Sequence, residues 1–260
     1  MEIQQKVAVI TGAASGIGAA LARRFAADGA QGVVVADLNL EQAQGVAAAI
    51  GPQALPVRCD VSIESDIQAL ALRTRERFGR IDVYCSNAGI LGSGGGLELE
   101  DAVWQRMWQV HCMAHVWAAR AVFPEMVARG EGYFLVTASA AGLLNIVESA
   151  PYGATKHAAV GIAEWLRIAY GRQGVRVSCL CPQAVQTAMT GTGTGSAGVD
   201  GVLSPEQVAE VVVQTMREER FLALPHPDVA RYMAAKAADY DRWLGGMQKI
   251  HARHVGASGH

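Results

Sequence analysis

The sequence predicts an α/β fold: a doubly wound, mostly parallel sheet of seven strands with helices on both faces. Two observations carry that expectation. Seven short apolar runs rich in β-branched residues recur along the 260 residues, and each reads as a strand covered on both faces. Longer amphipathic stretches separate them, so strand and helix alternate throughout, as right-handed βαβ units require.

In chain order, the first strand, KVAVIT at 6–11, enters a glycine-rich turn and a helix at 16–29. Strand 32–36 precedes a helix at 40–50, and strand 54–58 precedes one at 62–78. Strand 81–86 leads to a long helical stretch, 100–129, and strand 133–138 to a helix at 151–172. Strand 175–181, helix 204–219, strand 221–224 and helix 228–250 complete the pattern. No composition break divides the chain, and its one low-complexity stretch, TGTGSAGVDG at 192–201, lies late. One domain over 1–260 is expected, with a substrate loop at about 184–203 and a C-terminal helix at about 228–250.

Composition narrows the function. Hydrophobic residues make up 51% and charged residues 18%, with 29 glycines and 8 prolines, the profile of a chain that buries a large core and turns often. The net charge of −2 without a run of basic residues excludes the electrostatic footprint of a nucleic-acid binder. No apolar stretch has the length of a membrane span, and MEIQQK leads directly into the first strand, so neither membrane nor secretion is expected and the cytoplasm is. Cys59, Cys85, Cys112, Cys179 and Cys181 are odd in number and lack zinc-site spacing, which predicts reduced thiols and no metal.

The turn TGAASGIG at 11–18 places Gly12, Gly16 and Gly18 between the first strand and the first helix. Glycines there permit a tight turn and let backbone N–H groups approach a pyrophosphate at the positive helix end. A packing turn is the plainer alternative. Asp37, 19 residues beyond Gly18 at the end of the second strand, can accept hydrogen bonds from an adenosine ribose and repel a 2′-phosphate. Leu38 follows it and supplies no counter-charge, so NAD is expected over NADP; a helix N-cap is the alternative role for Asp37. In YGATK at 152–156, Tyr152 and Lys156 share one helical face. A nearby ammonium favours phenolate, so a lowered pKa and an acid–base role for Tyr152 are expected. Ser139, at a strand end thirteen residues before Tyr152, offers a hydroxyl to a substrate oxygen or simply closes a turn.

Taken in order, TGAASGIG, Asp37, Asp60-Val61, SNAG at 86–89, Ser139, YGATK and PQAVQT at 182–187 resemble the short-chain dehydrogenase/reductase family, over about 7–187. The resemblance implies a single-domain Rossmann-like fold and NAD as cofactor. It implies a cofactor surface made of the glycine turn with Ser15 and Ile17, Asp37 and Leu38, Asp60 and Val61 beside the adenine, Asn87, Ala88 and Gly89, and Pro182, Val185 and Thr187, the last at the carboxamide. It makes Tyr152 the acid–base, Lys156 the residue that binds the nicotinamide ribose and tunes Tyr152, and Ser139 the residue that positions the reacting oxygen. Two positions depart from the pattern: His111 stands where the family carries a relay asparagine, and Gln183 follows Pro182 where glycine is usual. A neutral imidazole has one donor and one acceptor, so His111 is expected either to hold the relay water, titrating near neutrality, or to pack with Trp104, Trp108 and His115 in a helical stripe.

Family layout puts Leu91, Leu143, Leu144, Ile146, Val147, Met189 and Leu203 at the substrate walls, with Glu148 and Gln183 as polar candidates. Apolar walls imply a small hydrophobic secondary alcohol or ketone, and no arginine is apparent there to pair with an acid. The expected function is hydride transfer between NAD(H) and such a molecule. Alternatives are an NAD-binding sensor or scaffold without turnover, and a dehydratase or epimerase on the same fold. Trp104, Trp108, Trp117, Val122, Phe123, Trp165 and Ile168 on the two long helical stretches predict a homo-oligomer, a tetramer by family resemblance.

Overall fold

A computed structural model describes residues 1–92, 94–187 and 195–254. Seven parallel strands form one sheet in the order β3-β2-β1-β4-β5-β6-β7. They are β1 (Val7–Thr11), β2 (Gly32–Asp37), β3 (Ala54–Arg58), β4 (Val83–Ser86), β5 (Gly132–Thr137), β6 (Val175–Leu180) and β7 (Leu222–Ala223). The helices are α1 (Gly16–Ala27), α2 (Leu40–Ile50), α3 (Glu64–Phe78), α4 (Asp101–Trp108), α5 (Ala114–Arg129), α6 (Ala141–Leu144), α7 (Ala150–Tyr170), α8 (Pro205–Glu218), α9 (Asp228–Ala238) and α10 (Tyr240–His254).

Strand alternation sorts the core into two layers. Ala8 and Ile10 of β1 face one way, with Val33 and Val35, and pack on Leu21 and Phe25 of α1 and Val212 of α8. Val9 faces the other way, with Val34 and Tyr84, and packs on Ile67 and Leu70 of α3, Phe123 of α5 and Ala163 of α7. With both faces covered, the central strands are almost wholly apolar, as the sequence pattern requires. Strand order reverses between β1 and β4, which opens a crevice at the carboxyl ends of these strands.

Two expectations need correction, and one helix is new. The stretch 100–129 is helical, but a π-turn over Gln109–Met113 separates α4 from α5 and widens the helix at His111. The stretch 228–250 is two helices: Asp239 takes an extended backbone, and its Oδ1 accepts the Arg242 N–H at 2.9 Å, an N-cap arrangement that starts α10 afresh. α6 was not foreseen, because four residues carry no periodicity; it starts where Ser139 Oγ accepts the Ala141 N–H at 3.1 Å.

Candidate active site

The glycine turn brings β1 and the start of α1 to the crevice. Gly12 adopts φ +65°, and a Cβ there would lie 2.8 Å from Ala88 Cα. A methyl on Gly18 would run into the Gly12 carbonyl, so helix and turn approach each other only without side chains. Ser15 precedes α1 in extended conformation, makes no side-chain cap, and no acidic residue occupies the first turn. The positive end of α1 is therefore left for an anion in the cavity, which suits a pyrophosphate. Asp37 Oδ2 accepts the Ala14 N–H and Oδ1 the Asn39 N–H, both at 3.0 Å. Asn39, rather than Asp37, caps α2 by accepting the Gln42 N–H at 3.1 Å. Each Asp37 oxygen keeps a lone pair for a ribose hydroxyl.

Asp60 and Val61 line the far end of the same cavity. Burial pushes the Asp60 carboxyl up, but hydrogen bonds from the Ser62 hydroxyl and amide, together with Arg106, outweigh it and hold the group below its usual range. Arg106 went unnoticed in the sequence, because α4 carries it in from 46 residues further along the chain.

At the opposite end the side chains meet over the tips of β1, β4 and β5. Asn87 Nδ2 donates to the Thr11 carbonyl at 2.9 Å and its Oδ1 accepts from the Thr137 hydroxyl at 3.0 Å, tying the three strands together. Tyr152 and Lys156 project from consecutive turns of α7, capped by Ser149. Lys156 Nζ donates to the Thr137 carbonyl at 3.1 Å and lies 5.6 Å from the Tyr152 ring centre. Burial lowers the Lys156 pKa to about 8. The expected lowering of the Tyr152 pKa is reversed: burial raises it, and the hydrogen bond with Ser139 offsets this only in part. The physical reason is that removing a phenolate from water costs more than a cation across the ring returns.

His111 is fully buried and does not line the cavity. Its Nε2 accepts the Ile90 N–H at 3.1 Å, which puts the proton on Nδ1 and makes that atom the donor to Thr155 Oγ1 at 2.9 Å. Thr155 Oγ1 in turn donates to the Pro151 carbonyl at 2.8 Å. Both ring nitrogens are thus committed to protein, leaving neither for a relay water. Titration near neutrality is also corrected: burial, reinforced by the Lys156 charge, lowers the pKa to about 2. The stripe of four does not form either, because His111 and His115 are buried while Trp108 is 48% exposed.

All the residues implied for the cofactor, from Gly12 to Thr187, line one cavity of about 980 Å³, as do Ser139, Tyr152 and Lys156. Of the expected substrate residues, Leu91, Leu144, Ile146, Glu148 and Gln183 line it too. Leu143, Val147 and Leu203 do not; Leu143 packs against the side of α9. Met189 lies outside the described residues. The largest omission is the C-terminal helix, for Trp243, Gly246, Met247 and Ile250 of α10 form a wall. Their helical spacing was a readable signal, but nothing local says what that face covers. Gln183 Nε2 donates to Asp200 Oδ2 at 3.0 Å, and Tyr232 of α9 donates to Asp200 Oδ1 at 2.9 Å, which fastens the loop to α9. The expectation of no arginine at the substrate walls is corrected by Arg242, which lines the cavity beside the apolar residues of α10, whereas Arg106 belongs to the Asp60 end.

The model of the short chain dehydrogenase family matches residues 6–195. The chain belongs to that family. It is 39% identical to the 1-deoxy-11-beta-hydroxypentalenate dehydrogenase of Streptomyces exfoliatus, over 88% of this chain and 86% of that one. It is 37% identical to the meso-2,3-butanediol dehydrogenase of Serratia marcescens, over 73% and 75%. A solved short chain dehydrogenase/reductase of Burkholderia phymatum, in complex with NAD, superposes with a TM-score of 0.85 at 30% identity, over 93% of this chain and 96% of that one. This short chain dehydrogenase is accordingly an oxidoreductase acting on CH–OH groups, in preference to a scaffold without turnover.

Proposed function

We propose that this chain is an NAD-dependent dehydrogenase of hydrophobic secondary alcohols, acting as one catalytic unit over 1–260. The observation that carries the reading is that Ser139, Tyr152 and Lys156 line the same cavity as Asp37 and an α1 terminus left without a side-chain cap. When bound, NAD supplies the acceptor for the hydride that leaves the alcohol carbon. Tyr152, as phenolate, takes the hydroxyl proton; Ser139 holds the same oxygen; Lys156, fixed by the Thr137 carbonyl, presents its Nζ to the ribose beside Tyr152. Asp37 favours NAD over NADP, because a 2′-phosphate would face a carboxylate. Leu91, Leu144, Ile146, Trp243 and Met247 make the substrate end apolar.

His111 serves as a positioning residue: it ties the Ile90 backbone beyond SNAG to α7 through Thr155. The five thiols are free and buried, in keeping with a reducing cytoplasm. Exposed Trp108, Trp165 and Ile168 support assembly into a homotetramer. Val122 and Phe123 belong to the core of the chain itself and lend that assembly nothing.

The test is NADH formation from a panel of hydrophobic secondary alcohols. Oxidation should strengthen above neutral pH, as the raised Tyr152 pKa requires, and Tyr152→Phe should lower kcat by roughly 10²–10⁴ with NAD affinity little changed. Full turnover by Tyr152→Phe would remove the acid–base role from this residue.

A further inference from the structure

Resting on that reading, we propose that the substrate carries an anionic group, a carboxylate, on the side of its apolar body away from the reacting carbon, and that Arg242 recognises it. α10 turns one face to the cavity, bearing Arg242, Trp243, Gly246, Met247 and Ile250, with Asp239 just before its first residue. Trp243, Gly246, Met247 and Ile250 are the apolar wall. Arg242, in the first turn, stands at the exposed rim of that wall.

Glu148, Asp200 and Asp239 are engaged elsewhere, and among the described residues the Arg242 guanidinium is not. Glu148 binds the Ser196 hydroxyl with Oε2 at 2.9 Å and the Ser196 amide with Oε1 at 2.6 Å. Asp200 is shared between Gln183 and Tyr232. Asp239 gives Oδ1 to the Arg242 amide, capping the helix rather than pairing with the guanidinium. Among the described residues, the Arg242 guanidinium makes neither a hydrogen bond nor an ion pair. Other arginines of the cavity and of the neighbouring helix are paired: Arg106 with Asp60 and Ser62, Arg231 with Asp228. No acidic side chain exists in the sequence between Thr187 and Gly195 to neutralise Arg242. A guanidinium is a planar fork that suits a carboxylate in two parallel hydrogen bonds, and here it borders an apolar wall that would seat the rest of the molecule. A hydroxy acid with a bulky alicyclic body satisfies both halves of the surface; a neutral alcohol satisfies one. Because Arg242 is exposed, screening limits the preference to about tenfold.

The experiment is calorimetric binding at low ionic strength, in saturating NAD, of adamantane-1-carboxylate and adamantane-1-carboxamide, which share an apolar body and differ in charge. The carboxylate should bind about tenfold more tightly. Arg242→Met should abolish that difference, Arg242→Lys should retain part of it, and Arg253→Met, on the same helix but away from the cavity, should keep it in full. Equal affinities in the wild type, no binding of either probe, or a preference that survives in Arg242→Met would each overturn the proposal. NADH formation from the panel of secondary alcohols, measured separately, judges the dehydrogenase reading: absence of turnover across the whole panel alongside an intact carboxylate preference would sink that reading and leave the anion site standing.

Discussion

Replacing His111 with asparagine tests whether this position is a titrating relay or a neutral structural strut. In the folded chain burial holds His111 at about 2 and His115 at about 3, against 6.5 when water surrounds them. The unfolded chain takes up protons that the folded chain refuses. The stability tied to each imidazole is therefore fully present above pH 6.5 and is lost as pH falls from there toward the folded values. The slope is about 1.4 kcal/mol per pH unit for each histidine, which integrates to about 2 kcal/mol each between pH 7.5 and 5.0. His111→Asn keeps an acceptor for the Ile90 N–H but forfeits the bond to Thr155, so it should cost about 1 kcal/mol at pH 7.5. Over the acid range, however, the variant should lose about 2 kcal/mol less than the wild type, whose His115 contribution is common to both. Urea unfolding of the cofactor-free protein at half-unit pH steps measures the difference. Parallel stability curves for the two proteins would refute the buried, neutral assignment. The same assignment requires that kcat for alcohol oxidation show no His111-dependent acid limb above pH 5.

Two other outcomes follow from geometry. Asp37 should make kcat/KM for NAD exceed that for NADP by at least about tenfold, and Asp37→Ala with Leu38→Arg should narrow the gap; equal efficiency in the wild type would count against the ribose role. Trp165 and Ile168 are 60% and 80% exposed, so under the proposed assembly Trp165→Glu with Ile168→Glu should give a smaller mass than the wild type in light scattering without unfolding the chain, whereas a wild-type monomer at micromolar concentration would end the assembly argument.

The sequence by itself determined the sheet and the polar skeleton of the site. β-branched runs read as strands covered on both faces, which holds for the central strands and not for the half-buried edge strands β3 and β7, and glycines that must meet other backbone leave a mark at fixed spacing, as Gly12 and Gly18 do. Tyr152 and Lys156 sit one helical turn apart, so their partnership is local and legible. What depends on desolvation was decided only by tertiary structure. The sign of the Tyr152 shift and the silence of His111 both follow from how much water the surrounding helices exclude, and no spacing along the chain encodes that. Long-range closure was equally out of reach. Arg106, Arg242 and the apolar face of α10 join the cavity because elements far apart in sequence pack together; an amphipathic pattern states that a face is covered, and the fold alone states by what.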